Sequence, residues 1–159
     1  MNSLLLVIDM QEAFINENTK HLIEKVEKLI HSNHYNYVVF TRFINTSDSR
    51  YVRELNYDGC LGEDKNLVIS SDNYPVFDKT IYSAMNDELK DYIRKNNINK
   101  IYLCGIDTEC CVLKTSFDLF ENGYDFYILK DYCACMFGDL RHHNALQILE
   151  RNIGKDKII

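Results

Sequence analysis

The chain has 159 residues, room for one domain of ordinary size, and is read here as a single domain over residues 1–159. Apolar residues make up 46% and charged residues 26%, near the globular average, which excludes disordered and low-complexity architectures. Eighteen basic against twenty-four acidic side chains leave a net charge of −6, which argues against nucleic acid as a partner.

Leu4–Ile8 is apolar without alternation, the mark of a strand covered on both faces, and Asp9 ends it. This run is too short for a membrane span or a signal-peptide core, so the expectation is a cytoplasmic chain with no membrane partner. Leu22, Ile23, Val26, Leu29 and Ile30 then recur at helical spacing. Tyr37–Phe40 reads as a second buried strand. Residues 45–66 are polar, with Gly59 and Gly62 as breakers, and read as loop with a turn or two of helix.

The only proline, Pro75, precedes a short strand at Val76-Phe77. Met85, Leu89, Tyr92 and Ile93 mark a helix ending near Asn96-Asn97. Ile101–Cys104 is the next strand, closed by Gly105. A helix is expected from about Cys110 to Asn122, with Gly123 as its C′ residue. A strand at Asp125–Leu129, a loop at 131–138, a helix at Leu140–Arg151 and a last short strand at Lys157–Ile159 complete the series. This alternation predicts an α/β fold: a Rossmann-like three-layer sandwich with a mostly parallel sheet of five or six strands and helices on both faces.

Sites in such sheets lie beyond the carboxyl ends of the strands, where Asp9, Lys79 and Cys111 all fall. The segment Gly105–Val112 carries the most information. A strand ends and a helix begins within a few residues, so Cys111 is expected in the first helical turn. Free backbone N–H groups and the macrodipole there lower a thiol's pKa and can receive an oxyanion. Two adjacent cysteines are more ordinarily small core residues. Asp9 reads either as the cap of a turn or as a carboxylate able to take a thiol proton. Lys79 reads either as a solvated charge or as an ammonium that holds a carboxylate ionised.

The remaining candidates are less pointed. Six cysteines in a chain taken as cytoplasmic are read as thiols rather than disulfides. Cys133-x-Cys135 is too closely spaced for a zinc knuckle, and no metal site is assigned. His142-His143 belongs to the last helix, one ring exposed and one packed. Phe14, Phe43, Tyr82 and Phe137 fall in loops near predicted strand ends and are candidates to line a pocket.

Asp9-Met10-Gln11 after a strand, Thr41-Arg42 after the next, Lys79 followed by Tyr82-Ser83-Ala84, and Gly105 through Val112 and Thr115 form an ordered set. With Asp131–Ala134 and His142…Ala145-Leu146, this set resembles the isochorismatase-like cysteine hydrolases, a family that includes nicotinamidases and related amidohydrolases. The resemblance runs from about Leu4 to Leu149. It implies a triad of Asp9, Lys79 and Cys111, with Val112 and Thr115 setting the register in favour of Cys111 over Cys110. It also implies a cis peptide at Ile106–Asp107, an oxyanion hole from the backbone amides of Asp107 and Cys111, and a homodimer or homotetramer. Asp107 stands where relatives often carry a small residue.

Nicotinamidases place an Asp-x-His metal site soon after the Thr-Arg pair. Here Phe43-Ile44-Asn45-Thr46-Ser47 follows, and no histidine occurs between His34 and His142. The resemblance therefore implies a hydrolase acting without a metal or other cofactor, and Cys111 favours a small carboxamide as substrate, cleaved through a thioester. Two alternatives stay open on the same scaffold: a vinyl ether hydrolase that does not need the cysteine, and a thiol sensor or binding module without turnover.

Overall fold

The computed structural model describes residues 2–159. At its centre is β1 (Asn2–Ile8), in which every side chain from Leu4 to Ile8 is fully buried. Its alternate residues enter two different cores. Leu4, Leu6 and Ile8 join one hydrophobic cluster and Leu5 and Val7 another, so a run with no polar alternation is what a strand covered on both faces requires.

Five strands form one sheet: β1, β2 (Tyr37–Phe43), β3 (Val76–Lys79), β4 (Ile98–Ile106) and β5 (Phe126–Ala134). Their order is β3-β2-β1-β4-β5 and every pairing is parallel. Helix α1 (Leu22–Ile30) covers one face with Leu22, Val26, Leu29 and Ile30. Each such buried side chain contributes about 1.5–3 kcal/mol. The opposite face is covered by α3 (Asp87–Lys95), α4 (Leu113–Glu121) and α5 (Asp139–Ile153), through residues such as Leu89, Leu119 and Leu149. The result is the expected Rossmann-like three-layer sandwich, with a wholly parallel sheet.

Helix starts obey local chemistry where a cap is available. Asn86 accepts from the Leu89 amide at α3, and Ser49 accepts from Val52 at α2 (Arg50–Leu55). α2 and a single 3₁₀ turn at Glu63–Lys65 are the helical turns expected in the polar stretch after β2.

Four expectations need correction. The short strand expected at Lys157–Ile159 does not form, and Ile158 makes only a single parallel bridge to Ile128 after a 3₁₀ turn at Lys155–Lys157. β2 continues through Thr41-Arg42-Phe43, because Arg42 is opposite Asp78 and pairs with it by two hydrogen bonds of 2.8 and 2.9 Å. β5 continues to Ala134 through what reads as a loop. Lys130 and Asp131 interrupt the apolar run at an irregularity where they face solvent, and Cys133 and Ala134 then pair again with Gly105 and Ile106. The helix expected from Cys110 begins instead as one π-helical turn, Thr108–Val112, closed by the Val112 amide on the Asp107 carbonyl at 3.1 Å.

The strand order reverses between β1 and β4, so the ends of these two strands open the crevice that such a sheet offers to ligands. They approach closely. A Cβ on Gly105, whose φ is +125°, would lie 2.0 Å from the Ile8 carbonyl oxygen.

Candidate active site

Three strand ends bring Asp9, Lys79 and Cys111 together. Asp9 directly follows β1 with φ of 50° and is wholly buried. Its Oδ1 accepts a hydrogen bond from the Thr41 hydroxyl at 2.7 Å. Its Oδ2 lies 2.7 Å from Lys79 Nζ, an ion-pair contact, and makes no well-directed hydrogen bond among the described residues. That oxygen therefore keeps lone-pair capacity inside a closed site.

Lys79, the last residue of β3, is 4% exposed. Its Nζ donates to the Ile81 carbonyl at 3.0 Å and to Cys111 Sγ at 3.4 Å, besides facing Asp9. Two of its protons thus have hydrogen-bond acceptors, and the charge itself faces the Asp9 carboxylate. Burial works against the charge, but Asp9 and Cys111 outweigh it and hold the Lys79 pKa above the ordinary lysine value.

Cys111 lies in the π turn before α4 and is 7% exposed. Its thiol departs from the sequence expectation of a lowered pKa. Burial first, and the Asp9 carboxylate second, push the pKa well above the usual thiol value, against the opposing pull of Lys79. A helix terminus cannot offset the removal of the sulfur from water beside a negative neighbour. The resting group is the thiol, with a buried carboxylate beside it.

The Ile106–Asp107 peptide bond is cis, as the resemblance implies. Thr108, just after it, is fully buried, and its hydroxyl pairs with His142 Nδ1 at 2.8 Å. His142 is half-buried on α5 and His143 is exposed, the split expected for that pair.

Outside the triad a cavity of about 550 Å³ opens onto Cys111. All four predicted aromatic residues, Phe14, Phe43, Tyr82 and Phe137, line it, although Phe43 is the last residue of β2 rather than part of a loop. Tyr51 and Tyr57 complete the wall and were not singled out by sequence reasoning. Tyr51 packs edge-on against both Phe43 and Tyr82, at ring distances of 5.0 and 5.2 Å. The available signal was the apolar set Tyr51, Leu55 and Tyr57 behind the Ser49 cap, hidden in an otherwise polar stretch.

Charged residues of the cavity were also missed. Glu109 and Arg141 line it and pair with each other at 3.3 Å, and Arg141 lies over the Phe137 ring. Gln11 has a structural part. Its amide nitrogen donates to the Phe43 and Lys65 carbonyls and its oxygen accepts from the Phe43 amide, tying β2 to the 63–65 turn.

The segment after Thr41-Arg42 does not suit a metal. Asn45 donates to the Tyr57 and Gly59 carbonyls, while its oxygen accepts from the Thr46 amide and the Ser49 hydroxyl. Phe43 offers only its ring. Among the described residues no group of three or more His, Cys, Asp or Glu side chains could hold a metal ion.

A family model for the isochorismatase domain matches residues 3–155. The chain belongs to the isochorismatase family. Isochorismatase family protein 2A of Dictyostelium discoideum is 41% identical over 64 residues, 39% of this chain and 32% of that protein. The chain thus spans about a third of the length of the first curated relatives it matches.

Solved structures of this family superpose along nearly the whole chain. An isochorismatase-like hydrolase from Alkaliphilus metalliredigens has a TM-score of 0.86 at 18% identity, covering 99% of this chain and 94% of the other. Nicotinamidase PncA from Bacillus subtilis has a TM-score of 0.81 at 22% identity, with 99% of each chain covered. Members of this family are hydrolases, and amidases are among them. Among the described residues no helix is long and apolar enough to cross a membrane.

Proposed function

We propose that this isochorismatase-family protein is a cysteine amidohydrolase that cleaves the C–N bond of a small carboxamide through a thioester, without a metal. The observation that carries the reading is the position of Lys79 Nζ, 2.7 Å from Asp9 Oδ2 and 3.4 Å from Cys111 Sγ. One buried ammonium joins a potential base to a potential nucleophile.

In the proposed cycle Asp9 Oδ2 takes the Cys111 thiol proton as the sulfur forms a bond to the amide carbonyl carbon. The carbonyl oxygen becomes an oxyanion held by the backbone N–H groups of Asp107 and Cys111. Such donors are worth roughly 3–4 kcal/mol each in comparable sites. The C–N bond then breaks, Asp9 gives its proton to the departing nitrogen, and ammonia or an amine leaves. Asp9 next takes a proton from water, whose oxygen attacks the thioester carbonyl. The C–S bond breaks, the acid is released and the proton returns to the sulfur.

Lys79 pairs with the Asp9 carboxylate and stabilises the thiolate as it forms. The raised pKa of the resting thiol fits this cycle, since charge separation is deferred until a carbonyl is present to accept the sulfur. The nicotinamidase among the superposed structures and the aromatic lining of the cavity support a planar amide substrate.

Release of ammonia from a panel of small carboxamides, with chelator present and with Cys111→Ala as control, tests the reading. Chelator-resistant release abolished by the substitution is the expected result. Retained turnover in Cys111→Ala, with loss in Asp9→Asn, would instead support a vinyl ether hydrolase on the same scaffold. The proposal extends to a homodimer or homotetramer, for which exposed Leu55, Phe137 and Leu140 offer apolar contact surface. Light scattering in solution decides that point.

A further inference from the structure

The cavity beside Cys111 contains a carboxylate that the proposed cycle does not use. Asp107 contributes only its backbone N–H to the reaction above. Its side chain nevertheless lines the cavity, where Oδ1 accepts the Met136 amide at 2.7 Å. Oδ2 makes no hydrogen bond, and no lysine, arginine or histidine pairs with Asp107, among the described residues. The cations close to the site are already engaged, Lys79 by Asp9 and Arg141 by Glu109. The Tyr57 ring lines the same wall, while its hydroxyl is buried close to Gly59.

A carboxylate oxygen left without a protein partner in a cavity is satisfied by water or by a ligand. Burial, the strongest influence on Asp107, raises its pKa to about 6, with Glu109 and Asp9 adding to the rise and the Met136 N–H opposing it. At neutral pH most of the population is still ionised. The cavity then presents one uncompensated negative charge amid aromatic rings.

We propose that Asp107 is the specificity-determining residue of this site, its Oδ2 accepting a hydrogen bond from a cationic or N–H donor group on the substrate. The substrate class is an aromatic or otherwise planar carboxamide that carries an amine, and amides bearing a carboxylate are disfavoured. This inference rests on the amidohydrolase reading for the chemistry, but its ligand preference is measurable by binding alone.

The probes are benzamide, the 3- and 4-(aminomethyl)benzamides, and the 3- and 4-carbamoylbenzoates. Each is titrated calorimetrically into Cys111→Ser protein at neutral pH, where no turnover interferes. An aminomethyl probe is expected to bind roughly 10- to 100-fold more tightly than its carboxylate counterpart, the span of a charge-assisted hydrogen bond. In Cys111→Ser/Asp107→Asn protein that preference falls to about threefold or less. The asparagine can still accept the Met136 amide, and a thermal melt confirms that the double variant is folded.

Equal binding of the probes, binding of none, or a preference that survives Asp107→Asn overturns the proposal. The two readings fail separately. A preference in binding without ammonia release by the wild-type protein leaves the role of Asp107 standing and removes the amidohydrolase. Ammonia release at equal kcat/KM from aminomethyl and carboxylate amides does the reverse.

Discussion

Gly105 and Ile8 face each other across β4 and β1 with no space for a side chain between them. A Cβ on Gly105 would lie 2.0 Å from the Ile8 carbonyl oxygen, and the backbone there has φ of +125°. Ile8 immediately precedes Asp9, and Gly105 immediately precedes the cis peptide at Ile106–Asp107. The closeness of these two residues therefore sets the separation between the base and the turn that carries Cys111.

Gly105→Ala combines a backbone clash with a disfavoured φ. It should destabilise the protein by more than about 2 kcal/mol. Turnover should be lost even in the fraction that remains folded, because the clash widens the β1–β4 gap at its catalytic end. Urea denaturation and activity per folded molecule check the two parts separately.

Lys79→Met leaves Asp9 as a buried charge without its counterion. The expected cost is about 3–5 kcal/mol, because breaking a buried pair from one side leaves the full desolvation penalty of the other. Asp9→Asn/Lys79→Met should recover much of that loss while remaining inactive. A double-mutant cycle in denaturant measures the coupling, and a double variant as unstable as Lys79→Met would contradict the ion-pair account.

Reactivity and turnover should move in opposite directions at Asp9. The carboxylate is one of the causes that raise the Cys111 pKa, and Lys79 lowers it. Asp9→Asn removes the first and frees the second, so the thiol becomes more acidic. Alkylation of Cys111 by iodoacetamide at pH 7 should accelerate as hydrolysis collapses. Peptide mass analysis is the readout, since it separates Cys111 from its more exposed neighbour Cys110.

Asp107 should leave a mark on the pH dependence of stability. Its folded pKa is about 6, against about 3.9 for an unperturbed aspartate. Between these values the folded protein keeps a proton that the unfolded chain has released. This contribution to stability is therefore fully present below about pH 4, falls as pH rises towards and through 6, and then levels off, a total change on the order of 3 kcal/mol. Glu109, Asp9 and the Met136 N–H, which act on the same carboxyl, are present in both proteins when wild type is compared with Asp107→Asn. The difference between their stability curves should show this step, and a flat difference would mean the carboxyl is not perturbed.

Much of the fold was legible because its signals are local. An apolar run such as Leu4–Ile8 can be satisfied only by cover on both faces, and the 3.6-residue spacing from Leu22 to Ile30 admits one buried stripe. Predicted boundaries failed where partners distant in sequence decide them. Arg42 stays in β2 because Asp78 lies opposite it, and Cys133 returns to the sheet because Gly105 and Ile106 offer free edges. Neither pairing is visible in a window of neighbouring residues.

The site divides in the same way. Asp9, Lys79 and Cys111 each fall near the carboxyl end of a predicted strand, and parallel strands deliver their ends to one edge of a sheet. It is the resemblance to the isochorismatase-like hydrolases, however, that joins the three into a triad. Tyr51, Tyr57, Arg141 and the unused oxygen of Asp107 were not legible, since they come from separate segments whose approach depends on how loops cross that edge. The protonation of Cys111 was misread for a related reason. Position in a helical turn is a property of sequence, but desolvation and the nearness of a carboxylate belong to the packed chain. Residue order thus determined which strands form and which side chains stand at their ends; tertiary packing alone decided which charges are shared, which thiol keeps its proton and what shape of ligand the cavity admits.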